Sequence, residues 1–264
     1  MTVRMHVRAY GADGYSSVSC DLRKEIMELI DLHCHLVPYV DDGAEDMGEA
    51  LGLLRILHDQ GVKAVCATPH LRAHMFQTPD GEIRQRFAEL QEAAEKENIP
   101  IRLYLSREYH CDRDFFGLLE NKKLLPIGNG NSILCEFSGA SEASFILKTV
   151  KDVIRNGYLP LVAHVERYAA VHQNKDLIGE IKSLGGLIQV NAGSITGDEG
   201  FSLKHFSRKL AKEKRIDVVA SDSHDPVNRP PFLLKCAQWL EQKAGAAYAR
   251  KVLYETPLTL LSES

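Results

Sequence analysis

From Leu29 onward the chain alternates short apolar runs with longer stretches in which apolar residues recur every three or four positions. The first kind suits a buried strand and the second an amphipathic helix, so the alternation predicts repeated βα units wound about a parallel sheet. Seven strands are expected: Leu29 to Cys34, Ala64 to Thr68, Arg102 to Ser106, Ser132 to Cys135, Leu159 to Ala163, Leu187 to Val190 and Asp217 to Ala220. Helices are expected over Met47 to Asp59, Glu82 to Lys96, Ser144 to Arg155, Leu177 to Leu184 and Leu203 to Lys214. Several of these stretches stop at glycine, as at Gly61, Gly157 and Gly185, where a left-handed cap costs little.

No linker, repeat or low-complexity tract divides the chain after Leu29, which predicts one α/β barrel domain over residues 29–264. Residues 1–28 differ: Gly11, Asp13, Gly14, Ser16, Ser17 and Ser19 make a polar stretch without the periodicity of the body, read as an N-terminal extension. A chain of 264 residues can build one large core without disulfides. The cysteines Cys34, Cys66 and Cys135 accordingly lie in apolar runs and read as reduced, buried thiols. Thirty-two Lys and Arg against 36 Asp and Glu leave a net charge of -4, which excludes a broad basic field for nucleic acid or anionic lipid. No run is long enough to span a bilayer and the first residues lack an apolar leader, so a cytoplasmic protein without membrane insertion is expected.

The candidate chemistry collects where the strands end. The first strand runs into His33-Cys34-His35, and residues two apart on an extended chain face the same way. Alone, that spacing fits two surface imidazoles as well as two ligands. It gains weight because the second strand runs into His70, the third into Glu108, the fourth into Glu136, the fifth into His164 and the seventh into Asp222-Ser223-His224. In a parallel barrel these ends share one rim, where catalytic residues are drawn from different strands. Glu108 and Glu136 follow strongly apolar runs, where an unpartnered charge is costly and divalent cations would supply the partner. Asp41-Asp42-Gly43 reads either as a turn or as a further ligand source. Imidazoles and carboxylates without thiolate favour Mn, Fe or Zn over a structural zinc site. Arg167 and Arg229 stand beside candidate ligands, and a guanidinium fork matches phosphate oxygens.

The stretches IDLHCHLVPYVDDGAED, ATPH, REYH, LCEF, AHVERY, QVNAGS and SDSHDPVNRPP together resemble the bacterial phosphotyrosine-protein phosphatases of the capsule-synthesis type (CpsB/CapC), within the polymerase and histidinol phosphatase (PHP) superfamily. The resemblance implies a distorted, TIM-like (β/α)7 barrel and three divalent ions, manganese first among the candidates. It implies that His33, His35, Glu108 and Asp222 hold one ion, that Glu108, Glu136 and His164 hold a second, and that Asp42, His70 and His224 hold a third. It further implies Arg167 and Arg229 as the phosphate-binding pair, and the phosphotyrosine-bearing tail of a bacterial tyrosine kinase controlling capsule or exopolysaccharide synthesis as the partner. Arg107, directly before Glu108, departs from the small residue usual there.

The expected reaction is attack on phosphorus by a metal-bound hydroxide, with no general acid named because a phenolate of pKa about 10 leaves readily. Hydrolysis of a small phosphate monoester such as histidinol phosphate is the alternative. Cys66 and Arg72 match the Cys-x5-Arg spacing of cysteine-dependent phosphatases, but Pro69 within that loop lacks a backbone N–H for phosphate and no glycine is present. A non-catalytic partner of the kinase is a further reading, disfavoured because every ligand position is filled.

Overall fold

The computed structural model describes residues 27–174 and 176–262. The expected N-terminal extension therefore lies, up to residue 26, outside the described residues. Nine strands are found among them: β1 Leu29–Cys34, β2 Val62–Ala67, β3 His70–Leu71, β4 Arg102–Leu105, β5 Glu108–His110, β6 Ser132–Glu136, β7 Leu159–Val162, β8 Leu187–Asn191 and β9 Val218–Ala220. Every pair is parallel, in the orders β1-β2-β4 and β3-β5-β6-β7-β8-β9. β3 continues β2 across Thr68-Pro69, and β5 continues β4 across Ser106-Arg107, so seven strand lines result, as the alternation predicts. At the rim the last line meets the first: His35 N–H donates to the Ser223 carbonyl and Asp222 N–H to the His33 carbonyl, each at 2.8 Å.

The break between β2 and β3 has a physical cause. Pro69 offers no N–H to a ladder, while the Thr68 hydroxyl accepts from Cys34 N–H at 3.1 Å and occupies the edge instead. The chain bends there, and the short strands beyond carry His70 and Glu108 inward.

Side-chain parity separates two cores. Ile30, Leu32, Ala64, Cys66, Leu134, Leu161, Ala163, Val218 and Ala220 pack together inside the barrel, with Ile127, Leu260 and Leu261 joining from outside the strands. Their strand neighbours, among them Val65, Ile133, Cys135, Val162, Ile188, Val190 and Val219, face the surrounding helices. The expected helices form, as Met47–Asp59, Asp80–Lys96, Ala143–Arg155, Leu177–Ser183 and Phe201–Lys212. Not anticipated were Arg113–Glu120, which is capped by Asp112, Leu233–Lys243, and the run Ala246–Arg250, Lys251–Glu255 and Thr256–Leu261. That last run inserts Leu260 and Leu261 into the inner core and brings the Leu261 carbonyl onto Asn129 N–H at 3.1 Å. The approach requires glycine at 128, where a Cβ would stand 2.4 Å from the Leu261 oxygen.

Truncating Leu261 to alanine should therefore cost about 2–4 kcal/mol of stability in urea unfolding. Leu258→Ala, at a residue of the same helix that is 41% exposed, should cost well under half of that. Equal losses would show that Leu261 does not plug the barrel.

Candidate metal centre

The rim cage begins at an irregularity in β1. Register with β2 shifts between Asp31 and Cys34, so His33 and His35 turn into the barrel mouth although Ile30 and Leu32 already point inward below them. Asp31 stays behind as a clamp. Its buried carboxylate accepts from Ser221 N–H (2.9 Å), Ser221 Oγ and His33 N–H (3.3 Å), tying β1 to the end of β9. Burial raises the Asp31 carboxyl to about 6, against the lowering effect of Ser221.

Parity on the other strands brings the remaining groups to the same mouth. Glu136 follows Leu134, and Asp222 follows Val218 and Ala220. His164 and Asp222 both have positive φ, 30° and 53°. Such a conformation costs on the order of 1–2 kcal/mol for a residue with a Cβ. The turn it makes aims each side chain back over the barrel.

The structure brings together every ligand candidate named from the sequence. His33, His35, Glu108 and Asp222 form one group whose ligand atoms lie within 4.8 Å of one another; His35, Asp42, His70 and His224 form another, and His70, Glu108 and Glu136 a third. His164 joins Glu108 at 2.8 Å and Glu136 at 4.0 Å through Nε2. The groups differ from the implied sets in that His35 and His70 each belong to two of them and His164 stands beside the third; His70 Nδ1 lies 3.0 Å from Glu108 Oε2 and its Nε2 3.5 Å from Asp42 Oδ1.

Glu108 is the centre of this arrangement. It is fully buried, and its Oε2 lies 3.2 Å from His33 Nε2, 3.4 Å from His35 Nε2 and 3.0 Å from His70 Nδ1. That oxygen has no hydrogen-bond partner, and neither do His70 Nδ1 and His224 Nε2. Orphaned buried acceptors are expensive, and several aimed at shared points between imidazoles and carboxylates fit divalent cations.

The sequence reading missed the groups that orient the ligands. His35 Nδ1 donates to Asp41 Oδ2 at 2.8 Å, leaving Nε2 free to face the cage, and the same carboxylate oxygen accepts from His70 N–H at 2.9 Å. Gln189 Oε1 accepts from His33 Nδ1 (3.3 Å) and from His164 N–H (2.7 Å). Its amide nitrogen donates to Asn191 Oδ1 (2.7 Å), whose own amide donates to Asp222 Oδ2 (2.8 Å). The sixth strand line, which carries no candidate ligand, thus supplies the orienting amides. Parity could have found them, since Gln189 and Asn191 share the face of Leu187, inside the barrel. His110 Nδ1 stands 3.0 Å from Glu136 Oε2. Arg107 is buried and donates to the His70 carbonyl (2.7 Å) and to Asp80 (2.7 Å), so it pins β3 to the start of the helix Asp80–Lys96.

Arg167 and Arg229 converge. Arg167 Nη1 lies 2.8 Å and Arg229 Nη2 3.1 Å from Asp222 Oδ2, while Asp222 Oδ1 faces His33 and His35 at 3.3 and 3.4 Å. Arg167 Nη2 also donates to Glu199 at 2.9 Å. Both guanidiniums are partly exposed, so they stand between the cage and solvent. Cys66 lies in the inner core, where burial pushes its thiol far above the usual range, and a protonated thiol sealed in the barrel is no nucleophile.

Charge balance explains the ionisation. Burial works against charge on Glu108 and Asp222, yet His33 and the other imidazoles hold both carboxyls well below their usual range. Burial likewise opposes charge on His35 and His33, but Asp41, Asp222 and Glu108 lift His35 well above the ordinary imidazole value, and Glu108 and Asp222 lift His33. His224 falls to about 4 through burial and its neighbour His35.

The family model described as capsular polysaccharide synthesis, CpsB/CapC, matches residues 29–262. The tyrosine-protein phosphatase CpsB of Streptococcus agalactiae serotype V is 31% identical over 238 residues, covering 88% of this chain and 98% of its own. The tyrosine-protein phosphatase YwqE of Bacillus subtilis is 29% identical over 218 residues, covering 83% and 86%. A crystal structure from a study of YwqE from Bacillus subtilis and CpsB from Streptococcus pneumoniae, described as unique metal-dependent tyrosine phosphatases, superposes with a TM-score of 0.82 at 29% identity, covering 88% of this chain and 94% of that one. The zinc-containing histidinol phosphate phosphatase of Lactococcus lactis shares the fold at a TM-score of 0.56 and 16% identity, covering 82% and 94%.

Because His33 and His35 keep their protons to higher pH than ordinary imidazoles, a cation entering the first group must displace them. Mn(II) affinity should thus fall as pH falls, by about tenfold per pH unit for each proton displaced. Asp41→Asn should weaken binding by about 10- to 100-fold. Calorimetric titration at pH 6 and pH 8 checks both, and pH-independent affinity would contradict the arrangement.

Proposed function

The chain belongs to the CpsB/CapC capsular polysaccharide synthesis family, and from that membership and the buried cage we infer that it is a metal-dependent tyrosine-protein phosphatase acting on phosphotyrosine in the tail of a bacterial tyrosine kinase. The observation that carries this reading is Glu108: a fully buried carboxylate with one oxygen ringed by three imidazole nitrogens at 3.0 to 3.4 Å. Three divalent ions, manganese first among them, suit the ligand groups. His33, His35, Glu108 and Asp222 would hold one, Glu108, Glu136 and His164 a second, and Asp42, His70 and His224 a third. When bound, such ions supply a water acidic enough to attack near neutral pH and Lewis acidity toward phosphoryl oxygens.

The remaining work falls to the chain's own residues. Arg167 and Arg229 are held side by side by Asp222 Oδ2, and their outward N–H groups can take two oxygens of a phosphate dianion at once. Asp222 sits in both systems, one oxygen toward His33 and His35 and the other toward the arginines, so the phosphate is fixed relative to the cage. Gln189 and Asn191 keep that relation rigid. The exposed outer face of both arginines suits a residue presented on a polypeptide, and a phenolate leaves without a dedicated proton donor.

Phosphate release by the manganese-loaded protein tests the reading. Its kcat/KM should be at least about tenfold higher on a phosphotyrosyl peptide than on histidinol phosphate, and Arg167→Ala should lower it about 100-fold or more. Preference for histidinol phosphate, or an Arg167→Ala variant as active as the unaltered protein, would overturn it.

A further inference from the structure

We propose that the helix Phe201–Lys212 is a docking track for an acidic polypeptide segment flanking the phosphotyrosine; this rests on the phosphatase reading above and adds to it the charge of the preferred substrate. Although the chain is net acidic, this helix carries Lys204, His205, Arg208, Lys209 and Lys212 and no acidic residue. Phe201, Lys204, His205, Arg208 and Lys212 recur at three- and four-residue spacing and so share one face, where, together with Lys209 and with Glu213 just past the helix, they border a surface hollow of about 510 Å³. The face is partly set in place. Arg208 Nε donates to the Ile195 carbonyl at 2.9 Å with its guanidinium 4.7 Å from the Trp239 ring, and the Lys204 stem lies against Gly197. Lys209 and Lys212 stay exposed, Lys209 with only a 3.8 Å approach to Glu213.

The N-terminal end of the track is joined to the phosphate site by the Asp198-Glu199 turn. A small cleft of about 70 Å³ runs between Asp222, Arg229 and the Asp198-Glu199 turn, and Gly200 and Phe201 follow directly. At that junction Glu199 is paired with Arg167 and Asp198 with Lys235 (2.8 Å), and at the far end Glu213 lies 3.7 Å from Arg215, so each acid bordering the path faces a cation. Phe201, 84% exposed, is the apolar contact at the near end. Of the five exposed large apolar side chains among the described residues, Tyr39, Met75 and Val227 lie on segments after strand ends that also carry a cage ligand or Arg229, and Phe201 follows the turn whose Glu199 holds Arg167. A helix of this length extends roughly 16 Å, about five residues of extended peptide. Complementary charge along such a path speeds encounter and fixes the direction in which the peptide lies.

The test separates docking from chemistry. Two peptides are made around one central phosphonomethyl-phenylalanine, which cannot be hydrolysed; five Glu or Asp residues flank it in one, and Ser and Gly in the other. Binding to the manganese-loaded full chain is read by fluorescence anisotropy, and p-nitrophenyl phosphate turnover is followed in parallel. The acidic peptide should bind about tenfold tighter at low salt. That advantage should vanish in the double variant Lys209→Glu, Lys212→Glu and shrink in the milder Lys209→Gln, Lys212→Gln, with p-nitrophenyl phosphate turnover unchanged in both. Equal binding of the two peptides, an advantage that survives both variants, or charge-dependent binding seen only with phosphatidylserine vesicles would overturn the proposal. Loss of p-nitrophenyl phosphate turnover in the unaltered protein would instead strike the phosphatase reading, since anisotropy reads the track without catalysis.

Discussion

A carboxylate with no access to water is stable only if positive charge meets it, and Glu108 sets that requirement for the rest of the molecule. The strand lines carrying β1, β3, β7 and β9 send imidazoles or turned backbone toward it, and the irregularity in β1, the breaks beside Pro69 and Arg107, and the left-handed residues His164 and Asp222 all serve to aim them. The carboxylates around His33 and His35 strengthen the hold of both imidazoles on their protons, against the effect of burial. Divalent cations bring more charge to the same points and release those protons. The metal-dependent chemistry of the family and the electrostatics of the barrel mouth are thus one fact seen from two sides.

Asp222 is where binding and chemistry join. One of its oxygens belongs to the imidazoles and the other to Arg167, Arg229 and Asn191. A side chain that moved would move both systems, which accounts for the number of groups spent on holding it and its neighbours. Asp31 ties β1 to Ser221 just before it, Gln189 and Asn191 brace it from β8, and Asp41 and Arg107 fix the opposite wall through His35 and His70. Below this layer the inner core, closed by Ile127, Leu260 and Leu261, gives the rim a rigid floor.

Much of this was legible in the sequence because a polar residue directly after a buried strand is a sharp signal. The seven strand lines, the nine candidate ligands and both arginines rest on it and on the family resemblance, and the structure gathers all of these residues at one mouth. What escaped was whatever depends on three-dimensional partners. Gln189 reads as an ordinary strand residue until β7 brings His164 beside it, and Asp31 as a misplaced charge until β9 delivers Ser221. The short strands β3 and β5 were hidden because two or three residues of pairing leave no periodicity. The last helix escaped for another reason: Leu260 and Leu261 serve the barrel floor, a role that its six residues are too few to show as a periodic pattern. Arg107 looked like a departure without a role, and its partners, the His70 carbonyl and Asp80, are separated from it by some thirty residues of sequence.

The central claim, that this cage exists to hold cations about Glu108, is tested most directly by diffraction from crystals of the manganese-loaded protein at wavelengths on either side of the manganese absorption edge. The account predicts anomalous peaks on both sides of the Glu108 carboxylate, one toward His33, His35 and Asp222 and another toward Glu136 and His164, with a further peak among Asp42, His70 and His224. An empty cage with ordered manganese elsewhere, or Glu108 bonded only to protonated histidines at saturating metal, would contradict it.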